Sequence, residues 1–320
     1  MNFSSEIIAD ELRIFETRFK DSVKSKVPLI DRIMKYIVKT KGKQIRPMFV
    51  LLSAKLSGTI NESTYRAASL VELLHTASLV HDDVVDESME RRGFFSVYAL
   101  WKAKASVLVG DYLLAKGMLL ALDNDDFKIL QLLSRAVKEM SEGELLQMEK
   151  ARSLNLDEDL YFRIITHKTA SLLASACAAG AYSTSRDPDI TEKLRRFGEL
   201  VGIAFQLKDD LFDYGHEDIG KPTGNDIKEK KITLPLIHTI NHVEPTLRKE
   251  LIYILKNQNK DRKKVEYVIG IVEKTGGIQY AIEKMNNYRD EALKILEDFD
   301  SGAVRDSLEQ LVNFTTDRKK

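Results

Sequence analysis

The sequence predicts an all-α protein, organised as a single domain over residues 1–320. Three observations predict it. Apolar residues recur at three- and four-residue spacing, as in Leu70, Leu73, Leu74 and Ala77, and in Ile129, Leu132, Leu133, Ala136, Val137 and Met140. Alternating runs of strand type are scarce. Only six prolines occur, at 28, 47, 188, 222, 235 and 245, and they fall where helices can start or stop.

The spacing places helices at roughly 3–23, 29–40, 47–57, 62–87, 104–122, 126–149, 157–182, 189–214, 232–241, 246–257, 262–274, 276–298 and 302–316. Pro28, Pro188 and Pro245 stand just before three of these segments, and Pro47 opens another. The stretch Ala170 to Ala181 is nearly all small or apolar, so its helix should be buried on every side. No repeat, low-complexity stretch or Ser/Gly/Pro linker divides the chain.

Composition narrows the function classes. Lys+Arg and Asp+Glu are both 49, so a balanced chain has no global pull towards nucleic acid or anionic lipid. An anion site must therefore be local. Cys177 is the one cysteine, which excludes an internal disulfide and a cysteine-rich metal site. The first 20 residues lack the apolar core of a signal peptide, and no uninterrupted run of 18 apolar residues predicts a membrane span. These features point to a cytoplasmic protein.

Two acidic clusters carry the chemistry. Asp82, Asp83 and Asp86 lie in LVHDDVVDES, and Asp209, Asp210 and Asp213 lie in AFQLKDDLFDYG, with the same Asp-Asp-x-x-Asp spacing. Positions four apart share a helix face, so Asp82 and Asp86 form a repelling pair worth a few tenths of a kcal/mol against the helix. Both clusters end apolar helices, where the helix dipole disfavours negative charge. A bridging cation resolves the conflict. Hard oxygen ligands suit Mg²⁺, which shares its shell with substrate phosphates. Zinc is poorly supported, because His81 has no His-Glu-x-x-His pattern around it.

Phosphates in turn need cations. Arg91 and Arg92 follow the first cluster and lead into Gly93. Lys43 and Arg46 lie in KGKQIRP at a loop-to-helix junction, where backbone N–H groups can also hold an anion. Lys168 sits in HKTA, and Lys221 and Lys231 follow the second cluster. The arginine pair is the best of these, because arginine binds phosphate through two parallel hydrogen bonds.

These motifs resemble the trans-prenyltransferases of the polyprenyl synthetase family, over roughly residues 30 to 240. GKQIRP, ELLHTASLVHDDVVDES, RRG, GDYLLAKG, HKTA and FQLKDDLFDYGHEDIGKPTGNDIKEKKITLP occur in the family's order. The resemblance implies an all-α isoprenoid synthase fold, a helical bundle around a deep central cavity, as a homodimer. It implies that Lys43, Arg46, His75 and Arg92 hold isopentenyl diphosphate, and that Arg91, Lys168, Lys221 and Lys231 hold an allylic diphosphate such as farnesyl or geranylgeranyl diphosphate. Asp82, Asp86 and Asp209 would ligate Mg²⁺, three ions per active site. Asp83, Asp210 and Asp213 would support them, and Lys168 would join the six aspartates as catalytic. Thr169 and Gln206 would lie beside the reacting chain. Three places depart from the commoner family pattern: Gln44 for arginine, Phe94-Phe95-Ser96 where proline is usual, and Tyr98 for asparagine.

Product length would be set below the first cluster. Residues four and eight before Asp82 share its face, roughly 6 and 12 Å deeper. These are Ser78 and Leu74, with Ala77 beside Ser78. Short-chain members carry aromatic residues at the positions of Ala77 and Ser78. By that resemblance small residues there imply a long product, roughly six to eight isoprene units running down along the helix, as used for quinone side chains. The competing reading of Ala77 and Ser78 is close helix packing. Competing functions are a geranylgeranyl diphosphate synthase, a terpene cyclase, a regulatory subunit of a heteromeric synthase, and an inert helical protein. The intact second cluster argues against the cyclase and the subunit.

Overall fold

The structure, a computed structural model, describes residues 6–40, 42–153, 156–215 and 223–318. In chain order the elements are α1 (Ala9–Ser22), α2 (Pro28–Lys39), α3 (Ile45–Ser57), α4 (Glu62–Val85), the strands β1 (Glu90–Arg91) and β2 (Phe94–Phe95), α5 (Val97–Leu122), α6 (Phe127–Ser153) and α7 (Glu158–Ile165). A π-helical turn, Thr166–Ala170, leads into α8 (Ser171–Ser185). Then come α9 (Pro188–Phe212), α10 (Asn225–Lys228), α11 (Leu234–His242), α12 (Pro245–Asn257), α13 (Arg262–Lys274), α14 (Gly277–Leu296) and α15 (Ala303–Asp317). The predicted all-α class is the observed one. Among the described residues the strands are only β1 and β2, two residues each.

The chain packs as two compact units. The first comprises Met1–Val137, Ser175–Arg195 and Phe299–Leu308. Its central helix is α4, which starts with a capping box. Asn61 accepts hydrogen bonds from the N–H groups of Ser63 and Thr64, and the Thr64 hydroxyl accepts from Asn61 N–H. The helix is buried on nearly every side through Leu70, Leu73, Leu74 and Ala77.

Helix α5 lies along α4 at close range. A Cβ added at Gly110 would sit 2.1 Å from His81 Nε2, and one at Gly117 would sit 2.7 Å from Leu70 Cδ1. The pairing also bears on membranes. The best window of α5 has a mean hydropathy of 1.6, so by length and composition it could cross a bilayer. The criterion of an uninterrupted apolar run misses it, because single charges such as Asp111 and Lys116 interrupt it. Helix α5 also starts earlier than the spacing predicts. Ser96 caps it by accepting from Ala99 N–H at 2.9 Å, and a non-helical residue, Lys102 with φ 65°, interrupts its first turns.

The second unit comprises Lys138–Ala174, Arg196–Asp298 and Glu309–Lys320. One of its cores joins α7, α9, α11 and α14 through Tyr161, Ile165, Ile203, Leu207, Ile237 and Ala281. A second joins α11, α12 and α13 through Leu236, Ile240, Leu251, Ile254 and Val268. Each buried aliphatic side chain of this kind stabilises the fold by about 1.5–3 kcal/mol. Every residue from Ala170 to Ala181 is buried, as its composition predicts.

The predicted helix over 157–182 is broken in a way the spacing does not reveal. The N–H of Ser171 donates to the carbonyl of Thr166, five residues back, which makes one wide turn. Glycines flank that turn on both sides. A Cβ at Gly143 of α6 would lie 2.8 Å from Lys168 N, and one at Gly202 of α9 would lie 2.5 Å from Ala170 Cα. Wide backbone is packed here against helices that carry no side chain at the contact.

Candidate active site

The first acidic cluster sorts into two kinds of carboxylate. Asp82 and Asp86 are exposed at the end of α4, on one helix face. Asp83 points inward at 2% exposure and takes both Arg91 Nε and Arg91 Nη2 on one oxygen, each at 2.7 Å. Its negative charge is thus committed to holding Arg91. The hairpin that carries Arg91 pairs Glu90 with Phe95 and Arg91 with Phe94. Its turn residues Arg92 and Gly93 have φ of 55° and 76°, the left-handed pair of a tight two-residue turn. Glycine adopts this readily and arginine does not, so a phosphate-binding candidate carries backbone strain.

Behind the hairpin, His75 is buried and its Nε2 lies 2.9 Å from Arg46 Nη1. Burial first, then the positive charges of Arg46, Arg92 and Arg91, push its pKa well below the usual value. His75 is therefore neutral, and Nε2 accepts from Arg46. His75, Asp83, Arg91 and Arg92 share the wall of a cavity of about 70 Å³. Lys43 is exposed on the loop before α3.

In the second unit a cavity of about 210 Å³ is walled by Lys168, Thr169, Gln206, Asp209, Asp210 and Lys231. The structure thus gathers six of the predicted residues of this unit in one place. The π turn delivers Lys168 and Thr169 to it, in keeping with the frequent placing of such turns at functional sites. Lys168 Nζ pairs with Glu144 Oε2 at 2.6 Å, and Lys231 Nζ with Glu229 Oε2 at 2.5 Å. Lys221 lies outside the described residues.

The three aspartates of this cluster also differ from one another. Asp213 follows the end of α9 and caps α10, its oxygens accepting from Asn225 N–H at 2.8 Å and Asp226 N–H at 3.1 Å. Asp210 is buried and accepts from Gln206 and Tyr161. Burial raises its pKa to about 7, against the opposing hydrogen bond from Tyr161. Asp209 is the accessible one, with 38% side-chain exposure.

Three residues that the spacing did not single out belong here. Asp226 reaches the cavity wall from α10, with a pKa raised to about 6, first by burial and then by Asp213. Its signal was the GNDIKEKK loop. Tyr161 reaches the wall from α7. Arg318 comes from beyond α15, and its guanidinium binds Asp209 while stacking on Phe205 at 4.0 Å. No local motif could have found it.

Two measurements follow. Asp210 binds its proton more tightly folded than unfolded, so its contribution to stability is complete below about pH 3.8 and is lost as pH rises towards 7. Metal-free protein should therefore lose melting temperature across that window more steeply than Asp210→Asn, and equal slopes would contradict the buried carboxyl. Arg318→Gln removes the cation that competes for Asp209. Metal affinity without substrate should tighten roughly two- to fivefold, the worth of a partly exposed ion pair. Calorimetric titration showing no change would reject the competition.

Divalent metal fits the first set by donor chemistry, since Asp82 and Asp86 offer hard oxygens to solvent from one face. Asp209 already takes a cation, the Arg318 guanidinium. Among the described residues no three His, Cys, Asp or Glu side chains gather as a closed metal cage.

A family profile for polyprenyl synthetases matches residues 27–272. The chain is 34% identical over 314 residues to the all-trans-nonaprenyl-diphosphate synthase (geranyl-diphosphate specific) of Rhodobacter capsulatus, covering 97% of this chain and 96% of that one. It is 32% identical to the octaprenyl diphosphate synthase of Escherichia coli strain K12, covering 99% and 98%. A solved polyprenyl synthase from Caulobacter crescentus, complexed with calcium and isoprenyl diphosphate, superposes with a TM-score of 0.91 at 32% identity, covering 100% and 98%. The chain belongs to the polyprenyl synthetase family. It is a prenyltransferase with the fold of the isoprenoid synthases.

Proposed function

We propose that this chain adds isopentenyl diphosphate repeatedly to an allylic diphosphate, giving an all-trans polyprenyl diphosphate of roughly six to eight isoprene units, its tail passing the small Ser78 one helical turn below Asp82, for quinone side chains. It acts as one catalytic domain over residues 1–320, in the cytoplasm and with Mg²⁺ as its metal. The single observation that carries the reading is that each unit sets accessible aspartates beside a cavity lined by cations. The long-chain relatives support the product class. The exposed apolar residues Leu108, Leu119 and Leu122 on α5 support a homodimer, which sedimentation measures directly.

The mechanism follows from charge. Asp82, Asp86 and Asp209 would hold Mg²⁺, three ions per site, which neutralises the diphosphate leaving group. Arg91, fixed by Asp83, presents its remaining N–H groups to the allylic diphosphate, with Lys168, Lys221 and Lys231. Arg46, Lys43 and Arg92 hold isopentenyl diphosphate, and neutral His75 orients Arg46. The allylic C–O bond breaks, its electrons leave with the diphosphate, and an allyl cation remains. The double bond of isopentenyl diphosphate attacks that cation, and a proton leaves to the departed diphosphate. Apolar walls such as Leu160, Ile164 and Ile165 keep water from the cation. Incubating the purified chain with Mg²⁺, farnesyl diphosphate and labelled isopentenyl diphosphate should give labelled linear prenyl diphosphates. Cyclic hydrocarbons, or no product, would overturn the reading.

A further inference from the structure

The cavity of the second unit contains a chain of hydrogen bonds that converges on Asp210. Thr169 Oγ1 donates to Gln206 Oε1 at 2.7 Å. Gln206 Nε2 donates to Asp210 Oδ1 at 2.8 Å. Tyr161 Oη donates to Asp210 Oδ2 at 2.7 Å. All four side chains line the same cavity. They come from α7, the π turn and α9, so the chain of bonds ties together the backbone elements that form the wall.

The order of donors has consequences. Both oxygens of Asp210 accept here, one from Gln206 and one from Tyr161, so the Gln206 amide turns its nitrogen towards Asp210 and its oxygen towards Thr169. The Thr169 proton is then used on Gln206. What Thr169 offers the cavity is lone-pair density, and no N–H of Gln206 competes for it. An electron-poor carbon is stabilised by such a wall, whereas an amide turned the other way would present a donor. Asp210 itself has no oxygen without a donor and is 7% exposed. Asp209, its neighbour in sequence, is the accessible carboxylate.

We infer that Tyr161 and Asp210 are positioning residues, which lock Gln206 and through it Thr169 in the orientation that faces the allylic carbon. The inference rests on the prenyl-transfer reading and deepens it, by dividing the second cluster into a ligand, Asp209, an orienter, Asp210, and a loop cap, Asp213.

The experiment compares Asp210→Asn, Asp210→Ala, Tyr161→Phe and the Tyr161→Phe/Asp210→Ala double variant, with Asp209→Asn as reference. Metal affinity is measured calorimetrically with Mg²⁺ and no substrate. Asp210→Asn and Asp210→Ala should bind Mg²⁺ within about twofold of the native chain, while Asp209→Asn weakens it. Kinetically, Tyr161→Phe and Asp210→Ala should each lower kcat roughly tenfold or more, with KM for both substrates held within about twofold. Asp210→Asn keeps an acceptor for Gln206, so it should recover most of the activity lost in Asp210→Ala. Because both groups act through one bond chain, the double variant should be no worse than Asp210→Ala.

Asp210→Asn weakening Mg²⁺ as much as Asp209→Asn would overturn the inference. So would multiplicative losses in the double variant. The same double-mutant cycle on melting temperature needs no turnover. Additive melting shifts would count against the relay even if the chain proved inactive with prenyl substrates, and that inactivity would instead sink the reading above.

Discussion

Asp82→Ala and Asp209→Ala are each expected to lower kcat by about three orders of magnitude or more, while the fold survives. The size follows from the charge at stake. On the proposed mechanism each removes a ligand for the ions that would neutralise the leaving group, where one lost electrostatic contact commonly costs about 10²–10³. Survival of the fold follows from exposure. Asp82 is exposed and Asp209 has 38% side-chain exposure, and the Arg318 guanidinium that Asp209→Ala unpairs keeps its stacking on Phe205 near the end of the chain. Circular dichroism should match the native chain, and near-normal turnover would sink the two-cluster mechanism. Asp83→Ala should behave differently. It leaves the partly exposed Arg91 without its partner, a loss of about 1.5–3 kcal/mol, so its inactivity would come with a lower melting temperature.

Ser78→Phe should shorten the product, as read by mass spectrometry of the chain-length distribution. Ser78 stands on the Asp82 face of α4, is half-buried, and uses its hydroxyl only on the His75 carbonyl at 2.8 Å. Ala77 occupies a different face. Leu70 and His81 meet Gly117 and Gly110 of α5, and at about 100° per residue Ala77 lies within roughly 40° of both. It is fully buried. An Ala77→Tyr change should therefore shorten the product only while forcing α4 and α5 apart, with about 1–3 kcal/mol of overpacking. Ser78→Phe tests the tail path without that strain. Unchanged products from a well-folded, active Ser78→Phe variant would remove Ser78 from the path.

The fold class and both acidic clusters were legible because helix spacing and side-chain type are local properties. Asp82, Asp86 and Asp209 need only a helix end to be found. The division of labour within each cluster was not legible, because it depends on what arrives from elsewhere. Arg91 reaches Asp83 through a hairpin whose turn begins with an arginine at positive φ, which no turn preference would propose. Asp213 became a cap because the chain returns through Asn225 and Asp226. Arg318 meets Asp209 from 109 residues away. The left-handed Lys102 that lets α5 begin early likewise has no spacing signature.

The wide turn at Thr166–Ala170 amounts to one surplus residue threaded into a helix. Deleting a single residue there would restore ordinary winding and leave the flanking turns close to register. Tyr161 would keep its side of the helix, but Lys168 and Thr169 would lose the wide backbone that delivers them to the cavity, and the helix would gain regular hydrogen bonds as the catalytic wall came apart. The shortened protein should melt no lower than its parent and make no product. In this stretch regularity and activity are alternatives, and the native chain keeps the irregular one.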